Sequence, residues 1–470
     1  MHKLLPASLA LVLAAPLAAL ADTPSDIEAL RRDVQALRVA YEARLQALEL
    51  RLEAAETAAA ASSTAVVAAP AASSASPTAP APAPGPAVAT AGSPGGANAF
   101  NPSISLILSG IYGRTSQDPA DYVISGFPLP PNAGIGPGLR GFSLAESELA
   151  LAASIDPWLR GAAHIALHPD NTFSVEEAYV QTTGLGSGLT LKAGRFFSGI
   201  GYLNPQHAHT WDFVDNPLAY QALLGTQYGD DGLQLAWLAP TDRYIELGAE
   251  LGRGRSFPGS DTGRNGAGMA ALAAHTGGDI GESQTWRAGL SVLSAKANDQ
   301  AVLAVDAAGR PVTDAFTGDT RVWVADGVWK WSPNGNATRT SLKLQAEYLR
   351  STRSGSLVHD VGNADRLGAY RAVQSGWYVQ GVYQFMRRWR VGLRTERLDS
   401  GTPDYGLNAA AFPAAGYRPA KHSAMVDFSP SEFSRVRLQL ARDLARQGRP
   451  DNQLFLQYQM SLGAHGAHGY

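Results

Sequence analysis

The stretch Asn204–Tyr220, NPQHAHTWDFVDNPLAY, sets His207, His209, Asp212 and Asp215 within one short segment. Two imidazoles two residues apart converge on one ion where the backbone is extended. Either aspartate supplies an oxygen, so the chemistry on offer is a borderline divalent site of the zinc type. The same residues suit a second task. Trp211, Phe213 and Tyr220 would pack against a wall while the carboxylates line a narrow passage. A further histidine pair, His465 and His468, stands near the C-terminus. The 470 residues contain no cysteine, which excludes disulfides, thiolate metal sites and cysteine nucleophiles. No Gly-x-Ser-x-Gly occurs, and His164 and His422 have no catalytic constellation beside them in sequence, so an enzyme is not expected.

What the stretch does depends on the elements that hold it. The N-terminus runs from Met-His-Lys into LLPASLALVLAAPLAAL and a small-x-small site at Ala19–Ala21, the pattern of a signal peptide over residues 1–21. Residues 22–57 form the next zone, in which Ile27, Leu30, Val34, Leu37, Tyr41, Leu45, Leu48 and Leu52 follow heptad-like spacing with one stutter near Arg44. That spacing predicts a short α-helical coiled coil, with self-association as a trimer. Residues 58–99 are almost entirely Ala, Pro, Ser, Thr, Val and Gly, an extended linker reaching up to ~120 Å at ~3.1 Å per residue. The net charge of -3 gives no reason to expect nucleic acid. Beyond the signal no apolar run approaches the ~20 residues of a membrane helix, which leaves a soluble fold or a closed β-barrel.

From residue 100 to 470 the alternation has period two. GLTLKAGRFF sets Leu189 and Leu191 against Thr190 and Lys192, and RTSLKLQAEYL sets Leu342, Leu344 and Tyr348 against Lys343, Gln345 and Glu347. NQLFLQYQMSLG sets Leu454, Leu456, Tyr458, Met460 and Leu462 against Phe455, Gln457, Gln459 and Ser461. Such patterning predicts about 16 antiparallel strands of roughly ten residues, the length that spans a bilayer when tilted. Short turns, such as 240–242 and 386–388, alternate with mostly longer connections near 115–140, 198–229, 253–266, 296–318, 352–373 and 399–420. Short turns at one rim and long loops at the other belong to a transmembrane all-β barrel rather than a sandwich.

On these features the chain resembles the bacterial outer-membrane porins, especially the phosphate- and carbohydrate-selective type, in which a periplasmic coiled coil precedes a sixteen-strand trimeric barrel. The segments VEEAYVQTTGLGSGLTLKAGRFFSGIGYLNPQHAHTWDFVD and LGAHGAHGY are similar to a family of outer-membrane proteins labelled zinc-regulated or TonB-dependent receptors. The resemblance implies the outer membrane of a Gram-negative bacterium, contact with lipid, a homotrimer formed through barrel and coiled coil, and a periplasmic N-terminal stalk. It also implies that the third external loop folds into the lumen, and 198–229 is third by count.

Strand parity then selects the inward-facing charges. Early strands contribute Glu146, Glu148, Glu177, Glu246 and Glu250; late strands contribute Arg339, Lys343, Arg390, Arg394, Arg435 and Arg437. Acid on one wall and base on the other, with Asp212 and Asp215 at the constriction, suit passive diffusion of small polar solutes or ions. No cofactor is required. Zinc held by His207 and His209 is the candidate exception, which would make the chain a metal-linked uptake protein. A tether from outer membrane to cell wall is a further alternative that the linker permits.

Overall fold

The computed structural model describes residues 102–131, 133–260, 265–413 and 416–463. The expected signal peptide, coiled coil and linker lie outside the described residues, as do His465 and His468. Seventeen strand segments follow one another: β1 (Ser103–Thr115), β2 (Gly141–Leu144), β3 (Ser147–Ser154), β4 (Leu159–Leu167), β5 (Phe173–Thr182), β6 (Leu189–Phe197), β7 (Gly229–Leu238), β8 (Tyr244–Gly252), β9 (Met269–Ile280), β10 (Gln284–Val305), β11 (Pro311–Trp331), β12 (Ser341–His359), β13 (Arg366–Met386), β14 (Trp389–Asp399), β15 (Ala420–Ser431), β16 (Ser434–Asp443) and β17 (Asp451–Gly463). Both β2 and β3 pair with β1, and only Ala145 and Glu146 separate them, so the two form one interrupted stave. The result is a closed antiparallel barrel of 16 staves. It is sealed by β1 on β17, from Ser105 opposite Gly463 to Thr115 opposite Gln453. Closure leaves no unpaired edge, which is the condition a sheet must meet in hydrocarbon.

The alternation explains the two faces. Leu233, Leu235, Leu247, Leu251, Leu272, Leu393, Leu456 and Leu462 are exposed on the outside, while Gln453, Gln457, Gln459 and Ser461 of β17 are buried within. An apolar belt facing outward is what a bilayer solvates. Trp158, Trp237, Phe385, Trp389 and Phe433 are exposed near the short turns, as an interfacial aromatic girdle requires.

Two connections differ from the sequence expectation. Residues 296–318 and 352–373 are largely strand rather than loop. β10 and β11 run 22 and 21 residues, and β12 and β13 run 19 and 21. Their ladders continue to Val305 opposite Pro311 and to His359 opposite Arg366. Paired backbone needs no bilayer around it, so these hairpins stand beyond the roughly 9–11 residues that cross a membrane. Their polar outward residues read as loop in the sequence for that reason. Arg339 is a second correction. It is exposed in the turn before β12 and is not on the inner wall, because the strand begins only at Ser341.

Candidate functional site

The connection 198–228 between β6 and β7 is tied at its base. Ser198 N donates to Tyr228 O at 3.0 Å. Asn204 Nδ2 donates to Ser198 O at 2.7 Å and Tyr228 O at 2.9 Å, and Asn204 Oδ1 accepts from Tyr228 N at 2.8 Å. A loop whose ends are clamped this way is a compact unit rather than a splayed excursion. Its centre holds a helix, α1 (Leu218–Leu224), which begins after Pro217 and ends at Gly225 with φ +68°; all seven helical residues are buried. Leu218, Leu223 and Leu224 join Ile200, Leu203, Trp211 and Tyr220 in one apolar cluster. The cluster also takes in Leu293, Val322, Val324, Leu349 and Leu398 of the inner wall, and Ile124, Phe127 and Leu129 of the 116–140 loop. These inward apolar residues break the polar-in rule because they receive a loop instead of water. The segment therefore lies across the lumen between the fifth and sixth staves.

Wall carboxylates fix the loop backbone. Glu250 accepts from Ser198 Oγ at 2.6 Å and Gly199 N at 2.7 Å. Glu347 accepts from Tyr202 N, Leu203 N and the Tyr220 and Tyr378 hydroxyls at 2.5–3.2 Å. Glu396 accepts from Leu218 N at 2.5 Å, at the start of α1. Gly201 has φ +67°, and a Cβ there would lie 2.5 Å from Glu347 Oε2, so the close approach requires glycine.

The aspartates and histidines of the loop turn to opposite walls. Asp212 pairs with Lys343 and, at 3.5 Å, with Arg390 Nη1. Asp215 pairs with Arg394 Nη2 at 2.7 Å and Lys421 Nζ at 2.5 Å, and accepts from Gln439 Nε2 at 3.0 Å. Burial alone would raise both aspartates. The cations Lys343 and Arg390, and Arg394 and Lys421, outweigh it and hold both carboxyls well below the usual range. Asp427 bridges Arg390 and Arg437 at 2.7 and 3.2 Å. Arg435 donates to His209 O at 2.9 Å and Gln459 Oε1 at 2.7 Å. This is the predicted basic wall, formed by β12 and β14–β16, and the loop aspartates neutralise part of it.

On the other wall, His207 Nδ1 lies 3.0 Å from Glu148 Oε2 and 3.1 Å from Glu176 Oε2, and its Nε2 lies 3.0 Å from Glu177 Oε2. His164 Nδ1 meets Glu148 Oε1 at 2.7 Å, and His209 Nδ1 stands 3.3 Å from Glu148 Oε2. The three rings form a stack, with centroids 4.4 Å apart for His164 and His207 and 5.7 Å for His207 and His209. Burial would lower the His207 pKa, but hydrogen bonds to Glu148, Glu176 and Glu177 push it well above the ordinary imidazole range.

The structure thus brings His207 and His209 together with Glu146 and Glu148, and sets Asp212 and Asp215 on the opposite side. The aspartates therefore do not complete a metal site with the histidines, because each is already paired with two cations. Glu146 lies in the break between β2 and β3 rather than on a strand. Sequence reasoning missed His164 and Glu176. His164 is brought into the cluster by the pairing of β3 with β4, where it sits opposite Ala150. Glu176 is the extra residue of a bulge: His164 opposes Glu177 while Ile165 opposes Val175. Two consecutive glutamates then share the inner face, which strict alternation forbids. The adjacent pair in SVEEAYV was the only available signal. Toward the short turns, Glu246 lies 3.6 Å from His275 Nδ1, and His275 Nε2 lies 3.9 Å from Asp326 Oδ2. Both ring nitrogens of His275 and both carboxylate oxygens of Asp326 are buried without a hydrogen-bond partner. Such groups need lumen water.

An uncharacterized protein of Aquifex aeolicus (strain VF5) is 30% identical over 404 residues, covering 80% of this chain and 82% of that protein. The chain belongs to that protein's family. No family model matches it. Solved structures similar to it include a loop-deletion mutant of OmpT, an outer membrane protein of Vibrio cholerae, at 10% identity, 77% of this chain, 100% of that chain and TM-score 0.48. The outer membrane channel DcaP of Acinetobacter baumannii is 12% identical over 78% of this chain and 99% of that one, with TM-score 0.44. The anion-selective porin from Comamonas acidovorans is 10% identical over 77% and 99%, with TM-score 0.46. The barrel assignment rests on this chain's own strand pairing.

Proposed function

We propose that the protein is a porin-like channel in the outer membrane of a Gram-negative bacterium, passing small polar solutes or ions by passive diffusion. The observation that carries this reading is the loop 198–228, held across a closed barrel by a histidine arm on an acidic wall and an aspartate arm on a basic wall. A loop fixed at both walls narrows the lumen, and Lys343 and Arg390, each about a quarter exposed, still reach open space beside it. Arg435, Arg437, Arg390 and Lys343 lie on one side of it, and Glu148, Glu177 and Glu250 on the other. Solutes carrying polar or opposite charges are favoured over apolar ones by such a lining. In this reading the N-terminal stalk lies in the periplasm and the barrel assembles as a homotrimer. Liposome swelling with sugars and zwitterions of graded size tests the reading. Swelling that falls with solute size supports it, and liposomes that stay as tight as protein-free controls refute it.

A further inference from the structure

We propose that Glu146, Glu148 and His209 form a binding site for one borderline divalent cation of the zinc type, which would fasten the lumen loop to the acidic wall. Two trios in this cluster bring one potential ligand atom from each residue within 4.8 Å of the others: Glu148, His164 and His207, and Glu146, Glu148 and His209. Their hydrogen bonding separates them. In the first trio, Glu148 Oε1 is bonded to His164 Nδ1, and the two nitrogens of His207 are bonded to Glu176 and Glu177. In the second, Glu146 Oε1 is buried with no hydrogen-bond partner, while Glu148 Oε2, on a residue only 2% exposed, is shared between His207 Nδ1 at 3.0 Å and His209 Nδ1 at 3.3 Å. Glu146 Oε1 and the loosely held His209 Nδ1 thus stand beside Glu148 Oε2 with lone pairs that one cation can take up together.

The ligand chemistry narrows the ion. One imidazole nitrogen with two carboxylates suits zinc or cobalt(II). Calcium and magnesium prefer all-oxygen sets, and a soft copper(I) site would draw on thiolates that this sequence does not contain. The spacing also fits. Ligands about 2.0–2.1 Å from a tetrahedral zinc stand roughly 3.3 Å apart, and His209 Nδ1 lies 3.3 Å from Glu148 Oε2. His164 and His207 then act as positioning residues. Their bonds to Glu148 and to Glu176 and Glu177 orient the carboxylate that reaches the ion, as outer-shell partners do. Two ligands come from the wall and one from the loop, so binding at this site requires the loop to be docked. The inference does not depend on whether the barrel conducts.

The test uses the full-length protein in detergent, stripped with a chelator and titrated with cobalt(II) and zinc. The expected result is one metal per chain at micromolar concentration. The cobalt form should show the visible absorption of a four-coordinate nitrogen–oxygen site. His209→Ala and Glu146→Gln should each abolish that spectrum, and Glu148→Gln serves as a third variant should either fail to give a folded, heat-modifiable barrel. His207→Ala should weaken binding about 10–100-fold while keeping the spectrum, the range for outer-shell partners. A His465→Ala/His468→Ala pair should leave affinity unchanged. No stoichiometric binding by the wild type overturns the proposal. So does wild-type affinity in folded His209→Ala and Glu146→Gln, or a spectrum that depends on His164 and His207 but not on His209.

Discussion

Asp215→Asn removes the charge at the point where the loop is most tightly held to the basic wall. The side chain is 9% exposed and takes donors from Arg394, Lys421 and Gln439. The substitution keeps shape and leaves each cation one other carboxylate, Glu396 at 2.8 Å from Arg394 and Asp443 at 3.5 Å from Lys421. Breaking a buried ion pair costs about 3–5 kcal/mol. With those residual partners, the lower end, about 3 kcal/mol, is the expectation. At about 1.4 kcal/mol per decade, that raises the undocked population roughly 100-fold. The barrel ladder does not pass through the loop, so the loss should stay local. Hydrogen exchange followed by mass spectrometry reads both. Peptides covering 205–224 should exchange about 100-fold faster in the variant, while those covering β15 and β16 exchange as in the wild type. Unchanged loop exchange would refute the anchoring argument. Equal acceleration in loop and strands would refute the separation of loop from barrel.

Acid should release the same arm. The docked carboxyls of Asp212 and Asp215 titrate below their free values, so their contribution to docking is present above the usual aspartate pKa, near ~3.9, and is lost as pH falls below it. Hydrogen exchange of peptides covering 205–224, normalised to the intrinsic rate at each pH, should accelerate below about pH 4 and stay constant between pH 5 and 8. Gly201→Val places a side chain against Glu347 in left-handed backbone, with a strain of about 1–3 kcal/mol. It should speed exchange of residues 199–205 more than of α1, and equal protection would contradict the packing described. In single-tryptophan proteins reconstituted in brominated lipid, Trp158 and Trp389 should be quenched and Trp211, only 8% exposed, should not. Quenching of Trp211 would mean that the loop does not lie inside the barrel.

Much of the barrel was legible in the sequence because period-two alternation is imposed residue by residue by the bilayer outside and water inside. The lumen position of the 204–220 stretch followed from the resemblance to porins, whose third external loop folds inward, together with its count as the third connection. Its partners were harder to read. Asp212 and Asp215 sit only three residues apart, yet their cations come from β12, β14 and β15, and such long-range pairing leaves no local pattern. Glu176 was hidden by a bulge, and Leu293, Val322 and Val324 depart from the polar-in pattern because they pack against the loop. The long hairpins of β10–β13 were read as loops because strand pairing outside a membrane carries no hydrophobic signal. The His-x-His pair does meet carboxylates, but they belong to the barrel wall rather than to the neighbouring aspartates.

Single-channel conductance in planar bilayers tests the central claim most directly, comparing the wild type with a variant in which a short Gly-Ser linker replaces residues 205–224. A barrel narrowed by its own loop predicts discrete ohmic steps for the wild type and clearly larger steps for the variant. Absence of current from both, or identical steps from both, would contradict it.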